Sequence, residues 1–249
     1  DERLIKREVN VLFKRDDVRS ILESARKIDL EVSRKYFLLG GLREKYTLFG
    51  AAKHTYALNP PVDKSLVESA EERYGFALPR DYVEFITEIG DGGAGPDYGI
   101  DPFAEFISES NTMNGCAEAY RKSLAVPFAP RKMLPEEVED FAITTREGYE
   151  KEPDKFFVYE KDNDDYDWYT DGFYVLGTHG CQWDFALVTA GERRGQVFDT
   201  DNEGACAFVA ESFEEFYGQW LERISDTERF RQELIELQEL FKNRPSIKK

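Results

Sequence analysis

The sequence predicts an α+β protein: a mostly antiparallel, curved central sheet flanked by helices, with an additional N-terminal helical extension. Two kinds of periodicity predict it. Apolar residues recur at helical spacing near both ends of the chain and around residues 66–89, whereas the stretch 173–198 alternates around glycine turns. The third observation is compositional. Hydrophobic residues make up 41% of the 249 residues, among them 19 Phe and 13 Tyr, enough to fill a substantial core.

Asp16-Asp17 precede Val18, Ile21, Leu22, Ala25 and Ile28, the pattern of a capped amphipathic helix running toward Leu39, where Gly40-Gly41 break it. A short element is expected over Tyr46 to Phe49, and Asn59-Pro60-Pro61 marks a joint. Residues 1–55 therefore read as a helical extension packed on a main domain of residues 56–249, since an apolar stripe needs cover. Leu66, Val67 and Ala70 predict the next helix, and Gly75 suits the left-handed position just past its end. Leu78-Pro79-Arg80-Asp81 restarts the chain as a helix, because proline's fixed φ and missing N–H suit a first turn. Tyr82, Phe85, Ile86 and Ile89 line its buried face as far as Gly90. The loop Gly90-Asp91-Gly92-Gly93-Ala94-Gly95-Pro96-Asp97 follows, with glycines that permit backbone conformations costly for other residues.

Beyond Ile100 the pattern weakens. Leu124 to Phe128 and Phe156 to Tyr159 read as short strands, the first at a sheet edge because Pro127 cannot donate to a ladder. Glu160 to Asp171 is polar and turn-rich, hence a loop. Phe173 to Leu176 predicts a strand ending at Gly177, and Cys181, Trp183, Phe185 and Leu187 alternate with their neighbours as a second strand. Gly191-Glu192-Arg193-Arg194-Gly195 makes a hairpin loop from which Gln196-Val197-Phe198 returns. Ser212 and Glu215 form a capping box for a helix that buries Phe213, Phe216, Tyr217, Trp220, Leu221 and Ile224. A final helix carries Phe230, Leu234, Leu237 and Phe241 on one face.

The order of these parts resembles the SUKH superfamily. The matching features are the Leu78-Pro79-x-Asp81-Tyr82 helix start and the glycine-rich loop with Gly92, Gly93 and Gly95. They continue with the Trp183-bearing strand and the Ser212-Phe213-x-x-Phe216 helix that ends in Trp220-Leu221. These blocks cover residues 60–100 and 173–222. The N-terminal helix and the central acidic segment lie outside them. The superfamily includes a fungal regulator of cell-wall synthesis and many bacterial immunity proteins that bind and neutralise toxins. The resemblance therefore implies a binding protein rather than an enzyme.

Charge and cysteine content bound the function further. The net charge is −17, which repels nucleic-acid backbones and attracts basic partners. Its distribution is uneven: residues 1–50 carry 12 basic and 9 acidic side chains, whereas residues 134–171 carry 4 and 14. No run approaches the roughly 18 apolar residues that would span a bilayer. The first residues, Asp1-Glu2-Arg3-Leu4-Ile5-Lys6-Arg7, show no basic region leading into an apolar stretch, so no secretory signal is read there. The chain begins at Asp rather than Met. Cys116, Cys181 and Cys206 form an odd, widely spaced set, which favours a reduced compartment, with the cytoplasm expected.

Motifs for cofactor, metal or nucleophilic chemistry do not assemble. The glycine loop lacks a following Gly-Lys-Ser/Thr, sits after a helix rather than a strand, and carries Asp91 and Asp97, which would repel phosphate. His54 and His179 stand in no metal-ligand frame and no Cys-x-x-Cys pair exists, so neither a metal nor a cofactor is expected. His179 and Cys181 are close in sequence, but Cys181 alternates in phase with Trp183 and reads as a core cysteine. Asp162, Asp164, Asp165 and Asp167 lack the glycine and glutamate of a calcium loop. Tyr166, Trp168 and Tyr169 lie among them. These aromatics either anchor the loop to the core or form a binding centre, steered toward basic partners by the carboxylates.

The leading expectation is a non-enzymatic, cytoplasmic immunity protein. It would contact a basic toxin domain, with nucleases a common class by resemblance, through Asp162, Asp164, Asp165, Tyr166, Asp167, Trp168 and Tyr169. An intracellular regulatory or scaffold protein is the alternative, with residues 16–39 and 226–242 as docking surfaces. A carboxylate-dependent hydrolase is a third reading, although no carboxylate pair is singled out by spacing. Neither a nucleic-acid nor a membrane partner is expected, and the oligomeric state stays open at this level.

Overall fold

The computed structural model describes residues 14–38, 45–108, 117–141, 143–159, 171–180, 183–201 and 204–242. Helix α1 (Arg15–Leu38) starts on the acidic turn of Asp16 and Asp17 and buries Val18, Leu22, Ala25, Ile28 and Val32. Each of the Val, Leu and Ile side chains removed from water contributes about 1.5–3 kcal/mol, and the Ala25 methyl less. The surface they cover belongs to α8 (Phe213–Ser225) and α9 (Thr227–Lys242), which pack against α1 and against each other.

The short element expected at Tyr46 to Phe49 is displaced. Those residues are irregular, with Tyr46 and Leu48 buried, and the helical turn α2 falls at Ala51–His54. Helix α3 (Lys64–Tyr74) ends at Gly75, whose φ of 77° is the left-handed value expected there. Pro79 is the residue that caps α4 (Arg80–Glu84) in extended conformation rather than its first helical residue. The helix then widens into a π-turn at Phe85–Ile89. Val62 N–H donates to the Ile86 carbonyl at 2.9 Å, so the joint at Pro60-Pro61 is stitched to that turn.

Six strands of the described residues form one antiparallel sheet in the order β1-β2-β6-β5-β4-β3. They are β1 (Arg131–Lys132), β2 (Phe156–Val158), β3 (Phe173–Gly180), β4 (Trp183–Val188), β5 (Val197–Asp201) and β6 (Ala205–Ala210). Period two explains the layering. Phe185 and Leu187 of β4 join the large core beneath the helices, while Ala186 and Val188 join a second core with Phe128, Phe157, Phe173 and Phe198. The sheet is thus buried on both faces. Near β1 and β2, α7 (Ile143–Lys151) covers Phe156, whose ring lies against Gly148.

Two strand expectations are corrected. Leu124 to Phe128 is a turn following α6 (Ala117–Ser123): the Ser123 carbonyl accepts from Val126 N–H, and Phe128 N–H makes an isolated bond to Ala190 O. The apolar residues there are anchors, with Leu124 and Phe128 buried beneath opposite faces of the sheet. Gly177 does not end β3. The strand continues to Gly180 through irregular register at Val175/Gly177, and the missing side chain admits the Gly99 carbonyl, 2.3 Å from where a Cβ would lie.

The Gly191–Gly195 hairpin, β2 and the two C-terminal helices stand where the sequence places them. The cap of α8 is half of the box expected. Ser212 Oγ accepts from Glu215 N at 3.0 Å, but the Glu215 carboxylate reaches back to Glu211 N at 2.9 Å instead of Ser212 N.

Candidate functional site

The two sequence blocks that carry the family resemblance meet in space. Asp81 accepts a 2.9 Å hydrogen bond from Glu214 N, so it shares with Ser212 the capping of α8 across 133 residues of sequence. Tyr82 packs edge-on against Phe213 at 4.9 Å, and Phe85 sits 5.0 Å from the same ring. Leu78, Phe216 and Trp220 complete this buried seam, while Trp183 at the start of β4 is half-buried. These residues build the scaffold.

The glycine loop is a place of close backbone approach. Gly92 and Gly93 have φ of 74° and 96°, and a Cβ on Gly93 would lie 2.4 Å from Ala57 O. A Cβ on Gly95 would press on the Ile100 side chain at 2.8 Å. The loop is therefore sandwiched between the segment after α2 and strand β3. Asp91, rather than repelling an anion, is buried and caps α5 (Phe103–Ile107), accepting from Phe103 N at 2.8 Å and Ala104 N at 3.0 Å. Burial raises its carboxyl pKa, and those two amides oppose the shift.

The far end of the loop makes the polar cluster that the sequence did not reveal. His179 on β3 lies between two carboxylates, with Nδ1 2.7 Å from Asp97 Oδ2 and Nε2 2.9 Å from Asp199 Oδ1 of β5. Its ring packs against Phe185 at a tilt of 40° with centroids 3.8 Å apart. A neutral imidazole could donate to only one carboxylate, so this geometry calls for the imidazolium. Burial opposes the charge, yet the hydrogen bonds to Asp199 and Asp97 outweigh it and raise the pKa to about 9. Asp184 on β4 is close enough to feel the His179 charge. Burial raises its pKa, with Thr178 and His179 pulling the other way. Asp101 adds a fourth carboxylate, paired at 3.0 Å with exposed Lys53.

Beside this cluster the chain exposes an aromatic step. Phe49 is 56% exposed and meets the Tyr98 ring edge-on at 5.0 Å, while Tyr98 lies across Gly180. His54, by contrast, is a buried core residue. Its Nδ1 accepts from Tyr56 N at 3.0 Å, and burial with neighbouring Lys53 lowers its pKa to about 4. A neutral His54 and a charged His179 have opposite roles, and neither presents a free lone pair to solvent. The sequence signal for the cluster was present in Asp97 at the loop's end, but its partners are contributed by strands far along the chain.

Among the described residues no group of three His, Cys, Asp or Glu side chains could hold a metal ion. Cys206 is buried, and that burial pushes its thiol pKa up, which disfavours the thiolate. No described helix is long and apolar enough to cross a membrane. The acidic aromatic residues Asp162, Asp164, Asp165, Tyr166, Asp167, Trp168 and Tyr169, and likewise Cys116 and Cys181, lie outside the described residues.

A six-stranded antiparallel sheet, a two-block seam and a glycine loop docked on the sheet define an α+β scaffold of the SUKH kind. The family model of SMI1 / KNR4 (SUKH-1) matches residues 61–219, and the chain belongs to that family. Helices α1 and α9, which pack together, lie outside the matched range. Comparison with curated proteins and with solved structures gave no match.

Proposed function

We propose that this SUKH-domain protein is a non-enzymatic binding module of the immunity type, which neutralises a basic toxin domain by covering it. The observation that carries the reading is the Phe49–Tyr98 step standing beside four carboxylates in a chain of net charge −17. Interfaces concentrate exposed aromatics, and carboxylates around them steer cationic partners and accept their hydrogen bonds. The acidic stretch 134–171 adds long-range attraction, and Asp162, Asp164, Asp165 and Asp167 belong to the same steering field. A nuclease toxin suits this chemistry, since its own substrate cleft is basic.

The test starts with capture of the partner by the tagged chain, its identification by mass spectrometry, and a stoichiometric inhibition assay with the purified pair. Inhibition of a basic toxin domain supports the reading. Reversing Asp162, Asp164, Asp165 and Asp167 together should then slow association at low salt, by roughly tenfold if the pair is steered. A partner from the cell's own wall-synthesis machinery, with no toxin inhibited, would instead establish the regulatory role of the family's other branch.

A further inference from the structure

We propose that His179 is a charged latch that fastens the tip of the glycine-rich loop to the sheet, and that this latch sets the position of Tyr98 at the exposed aromatic step. The consequence for binding rests on the reading above; the latch itself does not.

The loop is built so that its tip can move separately. Its base is closed by a reciprocal pair of hydrogen bonds, Gly93 N–H to Ile100 O at 2.8 Å and Ile100 N–H to Gly93 O at 2.9 Å. Beyond that closure the chain runs out through Pro96 and Asp97 and returns through Tyr98 and Gly99, held internally by Gly99 N–H to Pro96 O at 2.8 Å. Asp97 occupies the left-handed region at φ 47°, which a non-glycine residue adopts at a cost and keeps only when its surroundings impose it. Two features impose it. The Asp97 carbonyl lies against Gly50, where a Cβ would come within 1.9 Å, and the Asp97 carboxylate is gripped by His179.

The second grip is electrostatic and depends on charge. The imidazolium ties a loop residue to Asp199 on β5 while its ring rests on Phe185 of β4, so one side chain spans three strands and the loop. The charged groups around it are named from each element. Asp97 comes from the loop, Asp199 and Asp184 come from the sheet, and Asp101 acts electrostatically on Asp184. Arg223 of α8 faces Asp97 from the helical side, Lys53 holds Asp101, and neutral His54 faces the Asp97 backbone. Loss of the proton leaves one carboxylate without its donor, and the tip is the lighter of the two bodies tied together. Tyr98, the residue after Asp97, moves with it.

The experiment needs no partner. The full chain, isotope-labelled, is titrated from pH 6 to pH 10 while the His179 ring is followed by NMR. Amide exchange of residues 94–99 is compared with that of α8, with rates corrected for intrinsic base catalysis. The latch predicts both ring nitrogens protonated at neutral pH and a midpoint near 9. It also predicts that tip protection falls about tenfold or more through that midpoint while α8 stays protected, a tenfold change matching one pKa unit of coupling. His179→Gln and Asp97→Asn should show the opened tip already at pH 7. A His179 midpoint at its ordinary value, or an unchanged tip in a folded His179→Gln protein, overturns the proposal. Failure of toxin inhibition leaves this outcome untouched, so the two readings fail separately.

Discussion

The Tyr56 hydroxyl donates a 2.8 Å hydrogen bond to Asp29 Oδ2, tying the first helix to a residue 27 positions further along. The same carboxylate accepts from Thr47 N at 2.6 Å and Leu48 N at 3.2 Å, and it is wholly buried. Burial raises its pKa, and these donors oppose that shift. The segment that leads to the aromatic step is thus pinned to α1 by one buried carboxylate, beside which Arg26 Nε donates to the Tyr46 hydroxyl at 3.3 Å. The pin continues to the last helix, where Gln238 Nε2 donates to Thr47 Oγ1 at 2.7 Å.

Asp29→Ala removes the shared acceptor and strands three donors away from water. The expected loss is about 2–4 kcal/mol in urea unfolding, given roughly 1–3 kcal/mol for each unsatisfied buried group with partial relaxation. Asp29→Asn, which keeps one acceptor oxygen, should lose less. A loss under about 1 kcal/mol for the alanine variant would mean that water replaces the tether.

The two histidines predict a stability maximum near neutrality. His54 has its folded pKa lowered to about 4, so its contribution is complete above 6.5 and lost as pH falls toward 4. His179 has its folded pKa raised to about 9, so its contribution is complete below 6.5 and lost as pH rises to 9. Each swing is on the order of 1–3 kcal/mol, with His179 at the low end because solvent screens a partly exposed pair. Asp29 and Asp91, raised by burial, act against His54 just above pH 3.8. Differences between wild type and His54→Gln or His179→Gln across pH therefore isolate each histidine. A His179→Gln deficit that persists undiminished above pH 9 would contradict the assignment.

Two glycines with nearly equal φ should respond differently to alanine. Gly75 at 77° has open space where a Cβ would go, so Gly75→Ala carries only the left-handed penalty of about 1 kcal/mol. Gly50 at 72° would place its Cβ 1.9 Å from Asp97 O, so Gly50→Ala must also displace the loop tip, with a loss of about 2 kcal/mol or more. Thermal unfolding of both variants, with exchange at residues 94–99, checks the contrast.

The shared cap of α8 offers a further measurement. Ser212→Ala should cost about 1 kcal/mol, the usual loss for an N-cap hydroxyl. Asp81→Ala should cost a comparable amount, because it leaves Glu214 N without its acceptor and removes a carboxylate from the positive end of the helix. An Asp81→Ala variant as stable as wild type would show that this long-range cap is redundant.

Much of the fold is legible in the sequence because its signals are local. The stripe Phe213, Phe216, Tyr217, Trp220, Leu221 and Ile224 is the buried face of α8, and Gly75 sits left-handed where a helix must stop. Strand β6 was not legible. Its Ala205-Cys206-Ala207-Phe208-Val209-Ala210 run is apolar on both sides, since the sheet is covered on both faces and leaves no polar alternation to read. Leu124 to Phe128 misled because its apolar residues cluster between polar stretches as those of a short strand do, whereas Leu124 and Phe128 anchor a turn on opposite sides of the sheet.

By itself the sequence determined the class of scaffold, the family blocks and the sign of the charge, because periodicity, turn chemistry and composition act over a few neighbouring residues. Tertiary structure alone decided that Asp81 caps a helix 133 residues away, that Asp91 caps α5, and that His179 is held charged between Asp97 and Asp199. Those roles depend on burial and on distances of about 3 Å between residues remote in the chain, and no local pattern encodes a distance.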